Sequence, residues 1–191
     1  MSHTFLWNAK FHLFLNKIDE DLAQQTQQRG CVECGHKLHQ ANYPRSPVGV
    51  PPQFRNHYEE RLSFCCESCR KRVTSPSVRF FGRRWYPAPI FILISALMRS
   101  VSDYYLAQLK RHFGLVVSET TWKRWRRWWR ESFIATRFWQ QAKSIIPQQA
   151  LEMNRSFPRA LLDSFRGTFE EKMCLLLKFL SPLTTRILHF I

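Results

Sequence analysis

Five of the six cysteines fall into two clusters, and their spacing is that of a metal site. Cys31 and Cys34 are two residues apart and are followed by Gly35; Cys66 and Cys69 repeat the gap, with Cys65 abutting them. Two residues between cysteines let a tight turn aim both sulfurs at one ion. Gly35 suits the left-handed position that such a turn needs. Two CxxC knuckles supply the four tetrahedral thiolates that a closed structural zinc site prefers. The expected ligands of one structural Zn²⁺ are therefore Cys31, Cys34, Cys66 and Cys69. Cys65 would alternate to the opposite strand face. His36, His39 and His57 are alternative ligands that four cysteines make unnecessary. Two disulfides would need an oxidising compartment, and a redox CxxC would need a βαβ context; neither is indicated. A divalent ion with four thiolates carries a formal charge of −2, which Lys37, Arg70, Lys71 and Arg72 beside the knuckles can offset. A closed site serves folding rather than Lewis-acid catalysis. Cys174, in an apolar helical stretch, reads as a buried thiol.

The elements that must position these ligands can be read from pattern. Phe11, Phe14, Leu15, Ile18 and Leu22 recur at helical steps and predict a helix over 9–28, closed by Gly30. Residues 38–53 hold four prolines and Gly49 and read as a loop. Residues 61–81 alternate, as the second hairpin of a ribbon would. Pro87 and Pro89 open a helix over 90–99, Ser102 caps one over 103–113 closed by Gly114, and Ser118 caps a third over 119–133. Further on, Pro158 starts a helix, Gly167 ends it, and Thr168 with Glu171 forms a capping box for a segment ending near Leu180. The expected class is mainly α with a small β zinc ribbon. Its parts are an N-terminal helix (1–29), a zinc ribbon (30–86), a trihelical helix-turn-helix unit (87–140) and a C-terminal helical extension (141–191).

Charge points to the partner. The 191 residues carry 29 Lys+Arg against 14 Asp+Glu, a net +15. Residues 1–69 are neutral, residues 70–130 carry +12 and the remainder +3. A placed excess of this kind, in a segment apolar enough to fold, favours a polyanion over a merely solvated face. On an ideal helical wheel, Trp122, Trp125, Trp129 and Phe133 form one apolar stripe, while Lys123, Arg124, Arg127 and Arg130 form a basic face opposite. Trp128 lies on the margin as the best exposed aromatic. Such a helix suits the major groove, with Glu119, Thr120 and Lys123 reaching base edges and Arg124, Arg127 and Arg130 gripping phosphates. Arg79, Arg83 and Arg84, in an aromatic-interleaved run, are further candidate phosphate contacts, although Phe80, Phe81 and Trp85 there could equally join two cores.

These residues resemble the zinc-ribbon plus helix-turn-helix front ends of bacterial transposase-like proteins, and a group of uncharacterised bacterial proteins of similar length. The likeness lies in Cys31–Gly35, the Asn42-Tyr43-Pro44-Arg45 loop, Cys66–Cys69 with Ser75-Pro76 onward to Arg84, and Thr121–Arg130. It spans roughly residues 25–140. It implies DNA recognition, with mobile-element ends as one target. One departure is the turn: three residues separate Gly114 from Ser118, where the common version has one.

No catalytic constellation is readable. A transposase core would need three carboxylates on a sheet with paired metals, and only Asp19, Asp21, Asp103 and Asp163 occur as aspartates. P-loop, HExxH and GxSxG patterns are missing. The expected function is a non-catalytic zinc-dependent DNA-binding protein, a transposase-like accessory, remnant or regulator. Alternatives are an RNA-binding ribbon protein and an interaction scaffold that binds a protein through its C-terminal helices. The first ten residues lack the pattern of a secretory signal. The longest uncharged apolar run, Trp85–Met98, falls short of the ~20 residues of a membrane span. A cytoplasmic, nucleoid-associated protein with no membrane partner is expected. The apolar residues 187–191 suit docking on the core, a partner, or a truncated chain.

Overall fold

Asn8 begins the longest helix by placing its side-chain oxygen 3.0 Å from the Lys10 amide, which would otherwise be one of the unpaired donors of a helix start. The computed structural model describes residues 4–81, 86–97, 103–146 and 157–185. In it the chain is mainly helical, with a small antiparallel sheet and a four-cysteine cluster. Helix α1 (Ala9–Arg29) ends at Gly30, whose φ of 78° explains the glycine. A three-stranded sheet follows, β1 (Leu38–Gln40), β4 (Ser63–Cys66) and β5 (Arg72–Thr74), in the order β1-β4-β5. Leu38 lies opposite Cys66, and Cys65 opposite Arg72. A two-stranded ribbon pairs β2 (Tyr43–Pro44) with β3 (Glu60–Arg61).

Two segments differ from their sequence pattern. The proline-rich 38–53 stretch contains β1 and β2, because the prolines cluster after Tyr43 and leave Leu38–Gln40 free to donate to a ladder. The alternating 61–81 stretch stops being strand at Thr74; Ser75–Phe81 continues as a connector, most of it buried beneath the helices.

Helix α2 (Ala88–Ile92) follows Pro87 and runs into a π-helical turn, Leu93–Leu97. The last residues of the expected 90–99 helix, and its neighbour's Ser102 cap, lie outside the described residues. Helix α3 (Asp103–Phe113) closes at Gly114, at φ 63°. Ser118 caps α4 (Glu119–Trp128), which passes into a second π-turn, Trp129–Phe133. Helices α5 (Arg137–Ala142), α6 (Phe157–Asp163) and α7 (Phe169–Leu180) complete the set. The Thr168–Glu171 capping box forms as the sequence indicates.

One large core crosses the segment boundaries drawn from sequence. It takes Phe11 and Leu15 from α1, Phe91 and Ile92 from α2, Trp125 from α4, Trp129 from the π-turn that follows it, and Leu176 and Leu180 from α7. Phe91 sits at its centre, stacked on Phe81 at 5.3 Å and meeting Trp125 edge-on at 5.2 Å. The two π-turns meet there: Trp129 donates its indole N–H to Ser95 Oγ at 2.9 Å, and Ser95 donates to the Phe91 carbonyl at 2.6 Å. Trp122, Trp125 and Trp129 pack on the core side as expected. Trp128 does not form an exposed platform. It is buried because Phe81, from the connector, packs edge-on against it at 5.6 Å. Periodicity within α4 holds no information about that segment.

Between α1 and the Ser75–Phe81 connector lies a buried polar knot. The Asp19 carboxylate, on α1, accepts from Ser77 Oγ at 2.5 Å, the Val78 amide at 2.6 Å and Arg79 Nε at 2.7 Å. Arg79 also donates to the His57 carbonyl. Arg61 donates to the Ser75 carbonyl at 2.6 Å and to Thr184 Oγ1 at 3.3 Å, tying β3 to the C-terminal 3-10 turn. Every charge here is paired or hydrogen-bonded, as burial requires.

His12 is buried between the Tyr58 hydroxyl (2.9 Å from Nδ1) and the Leu6 carbonyl (2.8 Å from Nε2). The carbonyl can only accept, so Nε2 carries the proton and Nδ1 accepts from Tyr58. Burial lowers the pKa of this ring, the Leu6 carbonyl opposes that, and the charge of His57 adds to it. The unfolded chain therefore takes up a proton before the folded chain does. Stability should be level above pH ~6.5 and fall as the pH drops below that value, by at most about 1.4 kcal/mol per pH unit from this group. Urea midpoints between pH 5 and 8 check this; a midpoint independent of pH would refute it.

Candidate metal centre and basic helix

Each knuckle is built the same way. After Cys34, Gly35 adopts φ 73°; after Cys69, Arg70 adopts φ 58°. The left-handed residue turns the chain so that the next amide faces back to the sulfur. The amides of His36 and Lys71 accordingly donate to Cys34 and Cys69. The first knuckle is closed by Gly35 N–H to the Cys31 carbonyl (2.8 Å) and Cys31 N–H to the His36 carbonyl (2.9 Å). Glu67 N–H to the Lys37 carbonyl (3.1 Å) joins it to the second.

Only Arg70 occupies a left-handed conformation without being glycine among the described residues, and that geometry costs a side-chain-bearing residue roughly 1–2 kcal/mol. Arg70→Gly should raise stability by about 1 kcal/mol, read as a shift in the thermal midpoint. A lowered midpoint would refute this account of the second knuckle.

The result brings Cys31, Cys34, Cys66 and Cys69 together, with all four sulfurs within 4.8 Å of one another. Cys31 and Cys69 are 3.6 Å apart, and Cys34 and Cys66 3.5 Å apart. These separations lie far outside the ~2.05 Å of a disulfide. They approach the edge of about 3.8 Å that a tetrahedron with metal–sulfur bonds of ~2.3 Å demands. The four cysteines can hold one metal ion. Cys31 and Cys66 are buried and Cys34 and Cys69 exposed, so the cluster sits at the surface of its small core.

The thiols influence one another. The His36 amide, then the Cys66 thiol, lowers the pKa of Cys34. At Cys69 the Lys71 amide favours the thiolate, but desolvation and the neighbouring thiols Cys31, Cys66 and Cys34 outweigh it and push the pKa up to about 12. Four close sulfurs cannot all ionise alone; a cation among them removes that conflict.

Cys65 points away, its sulfur 3.5 Å from the Arg70 carbonyl, as strand alternation requires. None of the three histidines joins the ligand group. His36 Nδ1 lies 2.9 Å from the Cys34 carbonyl, and His39 pairs with Glu67 at 3.1 Å. Two of the four cations expected to offset the cluster have other partners. Lys71 pairs with Glu33 at 2.8 Å, and Arg72 donates to Ser63 Oγ at 2.7 Å and lies over Tyr43.

The candidate basic contacts divide. On α4, Glu119, Thr120, Lys123, Arg124 and Arg127 are all exposed, as is Arg130 in the π-turn that continues it. Lys123 pairs with Glu119 at 2.8 Å. Arg124, Arg127 and Arg130 have no carboxylate within ion-pair distance among the described residues. Arg126 lies 4.8 Å over the Trp122 ring, its pKa lowered by burial and then by the charge of Arg130. Between α3 and α4, Leu115 and Val117 are buried and Val116 exposed, so the longer turn is held by two apolar side chains.

Arg79 is a correction. It does not reach the surface: its side chain is 5% exposed and committed to Asp19. The basic run signalled charge but not its partner, which lies 60 residues earlier on α1. Arg83 and Arg84 lie outside the described residues. The knot of Asp19, Arg61, Ser77 and Thr184 carries no sequence signal, because its members share neither spacing nor motif. No family model, curated protein or solved structure matches the chain. No helix among the described residues is long and apolar enough to cross a membrane.

Proposed function

We propose that the chain is a non-catalytic DNA-binding protein whose four-cysteine cluster holds one structural zinc ion and whose α4 enters the major groove as the second helix of a helix-turn-helix. It would act as a transposase-like accessory, remnant or regulator. The observation that carries this reading is on α4. Arg124, Arg127 and Arg130 are exposed on one helix without a carboxylate partner among the described residues, where a solvated surface helix usually carries charges of both signs. A polyanion supplies what the chain does not. Four thiolates and no oxygen ligand favour zinc over harder cations.

If about six phosphates are neutralised, log K should fall with log salt at a slope near −5. Filter binding on random duplex DNA tests this, with structured RNA as competitor. Changing Arg124 and Arg127 together to Ala should weaken binding to all duplexes alike and reduce the slope by about 2, with the melting temperature unchanged. Flat salt dependence, or full affinity in that variant, would reject the face.

A further inference from the structure

We infer that Glu119 and Lys123 form a reader for a C·G base pair, an inference that rests on α4 lying in the major groove as proposed above. A carboxylate is out of place on a face meant for phosphates. Glu119 is nonetheless the first residue of α4, fully in reach of a groove, with its Oε1 held 2.8 Å from Lys123 Nζ and both side chains 65% exposed. The pair presents one acceptor beside one donor. The major-groove edge of a C·G pair presents the complement, the cytosine N4 amino donor beside the guanine O6 acceptor, themselves hydrogen-bonded and about 2.9 Å apart. The two spacings match, so Glu119 can accept from N4 while Lys123 donates to O6 without either side chain leaving the other.

An A·T pair offers a donor beside an acceptor at a similar spacing, but its flanks differ. Adenine N7, an acceptor, adjoins the N6 donor and repels the carboxylate. The thymine methyl adjoins O4 and crowds the ammonium. In C·G those flanks reverse: cytosine offers only C–H beside N4, and guanine N7 gives Lys123 a second acceptor. The alternative role for Glu119 is to complement the helix dipole at the α4 N-terminus.

Selection from a random duplex library, with wild type and Glu119→Gln, separates these roles. Wild type should fix C·G at one position, and exchanging that pair for A·T or T·A should weaken binding about tenfold. Glu119→Gln should lose that discrimination, with the other positions and the salt slope retained. If the variant selects the same pair, or binds every duplex tighter by one factor, Glu119 serves the helix alone and the inference fails while the DNA-binding reading stands. If wild type shows no salt-dependent duplex binding, or prefers structured RNA, whose major groove is too narrow for a helix, both fall together.

Discussion

Chelation of the metal, or Cys31→Ser, is expected to unfold the small sheet while leaving the large core standing. The sheet's own apolar cluster is small. It contains Ala23, Cys31, Leu38, Phe64 and Cys66, with Leu62 and Val73 partly buried against it, and two of the five buried members belong to the four-cysteine group. The strands are three or four residues long, too short to persist unsupported. Structural zinc contributes apparent binding free energies of about 10–16 kcal/mol, comparable with or above the ~5–15 kcal/mol net stability of a whole domain. Amide exchange reads the outcome. Protection at Leu38–Gln40 and Ser63–Thr74 should collapse, and that at Phe91, Trp129 and Leu177 should remain. Wild type should release about one zinc per chain. Cys65→Ser should change neither quantity, since its sulfur lies outside the cluster. Unchanged protection of the strands after chelation would refute a structural metal.

Asp19→Asn should be the most damaging single substitution away from the cysteines, costing about 3–5 kcal/mol. The carboxylate is fully buried and receives three hydrogen bonds, one of them from the buried Arg79 guanidinium. Neutralising it leaves that guanidinium without its counter-charge, in a place where it cannot turn to water. A second variant separates lost pairing from lost packing: Asp19→Leu with Arg79→Met removes both charges and should recover part of the loss. The recovery is incomplete because the Val78 amide and Ser77 hydroxyl lose their acceptor. Urea unfolding measures each step. If Asp19→Asn costs less than about 1 kcal/mol, the knot is not a structural determinant.

The four-cysteine cluster was legible because its information is local. Two residues between cysteines, a glycine behind the first pair and alternation at Cys65 each restrict a few bonds, and each appears as the spacing requires. Helix ends were legible for the same reason: the Ser118 and Thr168 caps act within one turn. Trp128 and Arg79 were misjudged because their neighbours, Phe81 and Asp19, come from other parts of the chain. A wheel ranks positions around one axis and is silent on what arrives from outside. The β1 strand was hidden by prolines that begin only after it ends. How α3 and α4 are used, and by which partner, is a matter of surface chemistry that fold alone does not decide.

The buried Arg61 guanidinium has a consequence beyond packing. It leaves β3, grips the carbonyl of Ser75 just past β5, and ends on Thr184 beyond α7. One set of bonds therefore joins β3, the residue after β5 and the 3-10 turn Ser181–Thr184, and order at residue 184 and order at residue 61 favour one another. The short strands and the helical layer are in this way fastened to each other through this side chain.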